Sequence, residues 1–299
     1  MEAQLIDDIV AILPHGRTRF DYYPERYAWL LLRHAVGNGC NIAELRQSPY
    51  AGLLHKPRVK AWLAQLGGPR LRPDDVLAAD GDATPLHFTL TLDRWQGQQT
   101  TRGNANLVLQ LNFDREHDRH YQNLIAPTQR YGPFVCASHP VCEGGRNTLA
   151  WARLDIDLET GEVLIEEIQN DWLRRVTHCL KYPRYLQRRG ANPDGLAEYA
   201  AWLLPRYQRI WAEAMLAATV WFVREELGIA RMFYHSPESN LRLKDLDADW
   251  APPRSLYTDL PRQFCFRQQG TVPHFLRHKR AKLARRAPLF ELDLGRKAA

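Results

Sequence analysis

From about residue 85 the hydrophobic period of this chain changes from helical to two, and it stays at two in successive short runs as far as residue 169. HFTLTL (87–92) alternates cleanly. In NLVLQLNF (106–113), Leu107, Leu109, Leu111 and Phe113 share one face, with Val108, Gln110 and Asn112 on the other. PFVCASH (133–139) reads as a short strand. TLAWARLDID (148–157) and VLIEEIQ (163–169) flank a turn containing Gly161, which is a hairpin signal. A β-sheet must therefore occupy the middle of the fold, and helices must cover it.

The flanks read as those helices. Gln4–Leu13 is apolar at helical spacing and stops at Pro14. Pro24 opens a helix closed by Gly37-Asn38-Gly39, and Pro57 opens another that ends at Gly67-Gly68. Residues 41–47 with the helix after Pro57 allow a helix-turn-helix, but the nine residues between exceed its usual turn. A helical cap over 1–80 is the simpler expectation. Residues 171–204 carry short helices. Pro205 opens a long helix that Gly228 terminates, 229–235 is a strand, and a helical turn leads to a final strand at 263–267. Strand, crossover helix and strand imply parallel pairing. The expected fold is mixed α/β: a helical cap (1–80), a core domain with a mixed central sheet (81–270) and a basic C-terminal tail (271–299).

Charge is distributed unevenly. From Arg262 to the end, ten Lys/Arg face two acids, a balance of +8 in a chain whose net charge is +6. Arg277, Lys279, Arg280, Lys282, Arg285 and Arg286 form the densest part, and such a segment favours nucleic acid or another polyanion through counterion release. No apolar run approaches the ~18–20 residues of a membrane span. The N-terminus is acidic where a signal peptide is basic, so a cytoplasmic protein is expected. Five cysteines with no C-x-x-C pair fit free thiols in a reducing compartment. Cys136, His139 and Cys142 are close enough for metal ligation, but a fourth ligand would have to come from far away; loop thiols are the plainer reading.

The informative stretch is Leu164–Trp172. Period two places Glu167, Gln169 and Asp171 on one face with Val163 and Ile165, and Leu164, Glu166, Ile168 and Asn170 on the other. A three-residue loop would pair Asp157 with Val163, Asp155 with Ile165 and Arg153 with Glu167; a shorter loop would break this register. Polar residues at the exit of a central strand are costly unless satisfied or used.

E-E-I-Q-N-D-W (166–172) resembles the E-E-I-Q-S-D-W motif of a domain in the large polyvalent proteins of phages and mobile elements. Trp211–Leu227, the strand at 229–235 and Tyr257-Thr258-Asp259-Leu260-Pro261 extend the likeness over 148–272, with Asn170 in place of serine and Asp259 displaced by one. The likeness supplies candidate residues without a mechanism. The element order after the hairpin, with Leu256-Tyr257 before a last strand, resembles the second half of the GCN5-related N-acetyltransferase fold. That family's glycine-rich pyrophosphate turn is absent, because Asp171 is followed by Trp-Leu-Arg-Arg-Val-Thr-His. Acetyl-CoA therefore lacks its usual cradle, and Arg174 and Arg175 are the residues left to hold an anion.

Three functions follow as expectations. In an acyl- or group-transferase acting on a nucleic-acid-associated substrate, Glu167 or Asp171 is the general base, Gln169 orients the substrate, Arg153 offsets charge and Tyr257 is the general acid. In a Mg²⁺-dependent restriction-endonuclease-like nuclease, Asp155 or Asp157 with Glu167 holds the metal, and Gln169 stands where lysine usually stands. In a non-catalytic binding module, the polar cluster is scaffold. His235, before Ser-Pro-Glu-Ser, is an acid/base candidate, although that loop reads first as a turn.

Overall fold

The computed structural model describes residues 1, 3–12, 18–81, 83–97, 99–126, 132–136, 138–139, 146–247 and 253–295. Among the described residues there are nine strands: β1 (Thr18–Tyr22), β2 (Cys40–Asn41), β3 (Arg70–Leu71), β4 (Leu86–Trp95), β5 (Asn106–Asn112), β6 (Thr148–Asp157), β7 (Glu162–Gln169), β8 (Arg231–Tyr234) and β9 (Phe290–Asp293). β2 and β3 form a small ribbon; the other seven make one mixed sheet in the order β1-β4-β5-β6-β7-β8-β9. Every neighbouring pair in it is antiparallel except β7 and β8. A parallel pair needs a long crossover, and 170–230 supply it.

Helices α1 (Ala3–Ile12), α2 (Arg26–Val36), α3 (Ile42–Gln47), α4 (Pro57–Gln65) and α5 (Pro73–Asp80) make the N-terminal layer. Proline at the first turn starts α4, and an Asn41–Glu44 capping box starts α3. α6 (Arg115–Leu124) follows β5, and the crossover holds α7 (Trp172–Lys181), α8 (Arg184–Gln187), α9 (Leu196–Tyr207) and α10 (Trp211–Trp221). α11 (Pro237–Leu243), α12 (Asp259–Gln263) and α13 (His278–Arg286) complete the chain.

The sheet has two unlike faces. Ala150, Ala152, Leu154 and Ile156 of β6, with Val163, Ile165 and Ile168 of β7, join the main apolar core beneath α10. Leu164 belongs instead to a second cluster with Phe233, Leu243, Phe275, Leu276, Ala284 and Leu289, under α11 and α13. Elsewhere that second face buries polar side chains, among them Gln110, Arg153, Asp155 and Glu166.

Several elements depart from the sequence reading. β1, inside the expected cap, is the sheet's edge strand, and α6 was not anticipated. The described residues of 133–139 form no strand. The long helix from Pro205 is two helices: Pro205 lies inside α9, and the chain turns at 208–210 before α10. The apolar period runs through both and no glycine marks the break. Gly228, at φ 68°, ends the second helix after a π turn at Phe222–Glu226. At 263–267 there is no strand. α12 runs to Gln263, Cys265 adopts a φ of 64° that a strand does not admit, and only Arg267 bridges to Glu291. The place beside β8 goes to β9, so the segment read as a tail contributes a packed helix and an edge strand.

The hairpin register is also resolved. The loop has four residues, 158–161, with Gly161 at φ 64°, and it pairs Asp157 with Glu162 and Asp155 with Leu164. Those pairs are one residue off the expected register. A β-bulge at Glu166 then restores the register, so that Arg153 stands opposite Glu167 and Trp151 opposite Gln169. The extra residue moves Val163 and Ile165 to the core face, away from Glu167.

Candidate functional site

The polar face gathers around the C-terminal end of β7. Glu167 forms an ion pair with Arg153, whose guanidinium also donates to the Gln99 carbonyl at 3.1 Å and lies 5.2 Å from the Trp95 ring centroid. The Arg153 side chain is 2% exposed and that of Glu167 18%, so only the acid reaches solvent.

The N-D-W end of the motif divides three tasks. Asn170 Oδ1 accepts from the Leu173 backbone N–H at 2.9 Å and so caps α7, a role that serine fills equally well. Trp172 is buried and donates from Nε1 to Tyr199 Oη at 2.8 Å. Asp171 is thereby free of capping duty, and its carboxylate receives four donors. Oδ1 accepts from Gln169 Nε2 at 3.0 Å and Arg174 at 2.6 Å; Oδ2 accepts from His139 Nδ1 at 2.6 Å and, more distantly, from Trp151 Nε1 at 3.5 Å.

His139 arrives from the 132–139 segment, in a turn whose backbone N–H donates to the Cys136 carbonyl at 3.0 Å. The turn brings Cys136 Sγ, a His139 ring nitrogen and an Asp171 oxygen within 4.8 Å of one another. The Asp171 hydrogen bond raises the His139 pKa above its ordinary value against the opposing effect of burial. Burial alone would raise the Asp171 carboxyl, but His139, Arg174 and Gln169 hold it below the usual range. Burial likewise pushes the Cys136 thiol up, yet Ser138, Arg175 and His139 together bring it below its ordinary value. The result is a carboxylate that orients an imidazole beside an acidified, half-buried thiol.

The structure brings Glu167, Gln169, Asp171, Arg153 and Arg174 together. Arg175 is close by, donating to Tyr185 Oη at 2.7 Å. Tyr257 makes no hydrogen bond to the group, although Glu167 and Arg153 act on it electrostatically. It is packed in the main core against Tyr234, with ring centroids 5.7 Å apart, and its buried hydroxyl makes no hydrogen bond among the described residues. Burial, reinforced by the nearby Glu167 carboxylate, holds its pKa well above the ordinary value, which does not suit an acid at neutral pH. Asp155 faces the other end of the hairpin, where Arg102 binds both its oxygens at 2.6 Å and the Met1 amine lies 3.5 Å away; Arg102 also reaches Asp157 at 3.4 Å. Asp155 and Glu167 thus each face their own guanidinium. Cys142 lies outside the described residues.

The bulged Glu166 has a separate role. It is fully buried and accepts from the Thr101 N–H at 2.8 Å and hydroxyl at 2.9 Å, with His235 Nε2 at 3.2 Å and Lys244 Nζ at 3.6 Å. Burial would raise its pKa, but these partners hold it down at about 2. His235 is completely buried here, and Ser236 caps α11, so HSPESN is a helix start.

α13 lays Ala281, Leu283 and Ala284 on the second apolar cluster and exposes Lys279, Lys282, Arg285 and Arg286, with Arg277 exposed just before it. Arg280 differs from these: it binds the Leu243 carbonyl and Asp245. Between this segment and the hairpin turn lies a cleft of about 360 Å³, lined by Arg102, Asp157, His274, Arg277 and Arg280 among others.

The Cys-x-x-His spacing was visible in the sequence, but the partnership with Asp171, 32 residues away, was not. Among the described residues no helix is long and apolar enough to cross a membrane. Compared with known protein families, characterised proteins and solved structures, the chain matches none of them significantly.

Proposed function

We propose that the chain is an acyl- or group-transferase acting on a nucleic acid or a nucleic-acid-associated substrate, with His139 as its general base. The observation that carries this reading is the 2.6 Å contact from His139 Nδ1 to Asp171 at the exit of β7. A carboxylate on Nδ1 leaves Nε2 to take the proton of an incoming nucleophile. Asp171, whose pKa is lowered, is a poor base itself and orients the imidazole. Gln169 braces that carboxylate, and the Arg153–Glu167 pair closes the wall beside it. Arg174, 65% exposed at its side chain, is the cation best placed to receive an anionic group. The mixed sheet supports the reading too, since its one parallel pair follows the helical crossover, as the acetyltransferase-like expectation requires. The exposed cations of α13 supply a surface for a polyanion.

The test uses acetyl-CoA as donor and a lysine-rich peptide bound to a DNA duplex as acceptor, with product followed by mass spectrometry. Transfer that falls by about 10²-fold or more in His139→Ala is expected. Absence of transfer, or transfer indifferent to His139, rejects the reading. The Mg²⁺-nuclease reading with Asp155 or Asp157 and Glu167 has less support, because arginines occupy these carboxylates; Mg²⁺-dependent cleavage lost in Glu167→Ala would reinstate it. Salt-sensitive binding with no turnover would leave a binding module.

A further inference from the structure

We propose that Cys136 is the covalent acyl carrier of this site, so that transfer proceeds through a thioester on the enzyme. This rests on the transferase reading and goes beyond it by adding a nucleophile. The turn that carries His139 also carries Cys136, and it sets the thiol sulfur within 4.8 Å of both the imidazole and the Asp171 carboxylate. The thiol is half-buried, so it is shielded but reachable.

The same three residues are a conceivable metal set, and local chemistry decides against it. Asp171 already accepts four donors, one of them a guanidinium, and has no oxygen to spare for a cation. Arg175 beside the thiol and Arg174 on the carboxylate make the environment electropositive. Such surroundings repel a divalent ion and stabilise a thiolate. The other described cysteines lack this setting. Burial raises the Cys40 thiol above its ordinary value, pushes Cys179 up to about 11 and Cys265 up to about 12.

The steps balance without a redox partner. The Cys136 thiolate attacks the carbonyl carbon of an activated ester or thioester donor. The new C–S bond forms as the bond to the leaving group breaks, and the leaving group departs with its electron pair and the proton from His139 Nε2. An acceptor amine or hydroxyl then attacks the thioester carbonyl and gives its proton to the now neutral Nε2. The C–S bond breaks and the thiolate is restored.

The full-length protein carrying Cys142→Ser is treated with p-nitrophenyl acetate and analysed by stopped flow and peptide mass spectrometry. A burst of one p-nitrophenolate per chain is expected, with one hydroxylamine-labile acetyl group on Cys136. Iodoacetamide should alkylate Cys136 at least about tenfold faster than Cys40, Cys179 or Cys265 at neutral pH, and His139→Ala should remove much of that advantage. Cys136→Ser, nearly isosteric, should lose transfer while keeping its fold. If Cys136→Ser still transfers acetyl to the peptide and His139→Ala does not, the carrier is refuted and the transferase reading stands. Co-purifying zinc that shields Cys136 until a chelator removes it would also overturn the proposal.

Discussion

Arg153 stands directly across from Glu167 on β6 and β7, and the residue before Glu167 has no partner in the ladder. That leftover residue, Glu166, turns towards Thr101, His235 and Lys244, so two consecutive glutamates occupy the same face with different hydrogen-bond partners, while Lys244 is close enough to act on both.

Breaking the Arg153–Glu167 pair costs stability. Arg153→Leu leaves Glu167 without its guanidinium in a mostly buried position, and a loss of about 3 kcal/mol is expected. Arg153→Leu with Glu167→Leu should recover most of it. Urea unfolding of the two variants makes the comparison.

The contacts of Glu166 set acid stability. The Glu166 pKa, about 2 when folded, is below its ordinary 4.5, so its contribution is fully present above about pH 4.5 and is lost as pH falls through about 2. Buried His235, whose pKa is lowered by burial, also destabilises the fold as acid forces it to charge. Glu166→Gln should be less stable than the parent at pH 7 by a few kcal/mol, on the order expected of such a shift, and the two should converge towards about pH 2. Unfolding curves across that range test it; an unchanged gap at every pH would count against the assignment.

The His139–Asp171 contact has a direct spectroscopic signature. The folded imidazole titrates above its ordinary 6.5, and Asp171→Asn should move the midpoint down. The pair stabilises the fold between the lowered Asp171 value and the raised His139 value; it weakens as pH rises through the latter or falls through the former. NMR of labelled histidine measures the shift. A fall in transfer with no change in the His139 midpoint would show that Asp171 acts in some other way.

The exposed cations of α13 predict salt-dependent binding. Alanine at Lys279, Lys282, Arg285 and Arg286 should reduce the slope of log K against log salt on a labelled DNA duplex by roughly 0.9 for each lost phosphate contact. Arg280→Ala should instead reduce stability, because that side chain ties α13 to Leu243 and Asp245. Fluorescence anisotropy over a salt series separates the two effects.

Local chemistry made much of this protein legible from its residues. Period two announced β4 to β7, Gly228 marked a helix end, and Glu167, Gln169 and Asp171 announced a polar strand exit. These signals are readable because side-chain periodicity and backbone permissiveness act over a few residues. The tertiary structure decided what depends on distant partners. Whether the hairpin loop held three residues or four, and whether a bulge would repair the register, depended on packing against both faces of the sheet. β9 claimed the edge beside β8 that 263–267 was expected to fill, since two segments of similar pattern compete for one row of hydrogen bonds. Asp171 acquired its role in the same way: a carboxylate's chemistry is set by the donors that surround it, and His139 reaches it only when the chain is folded.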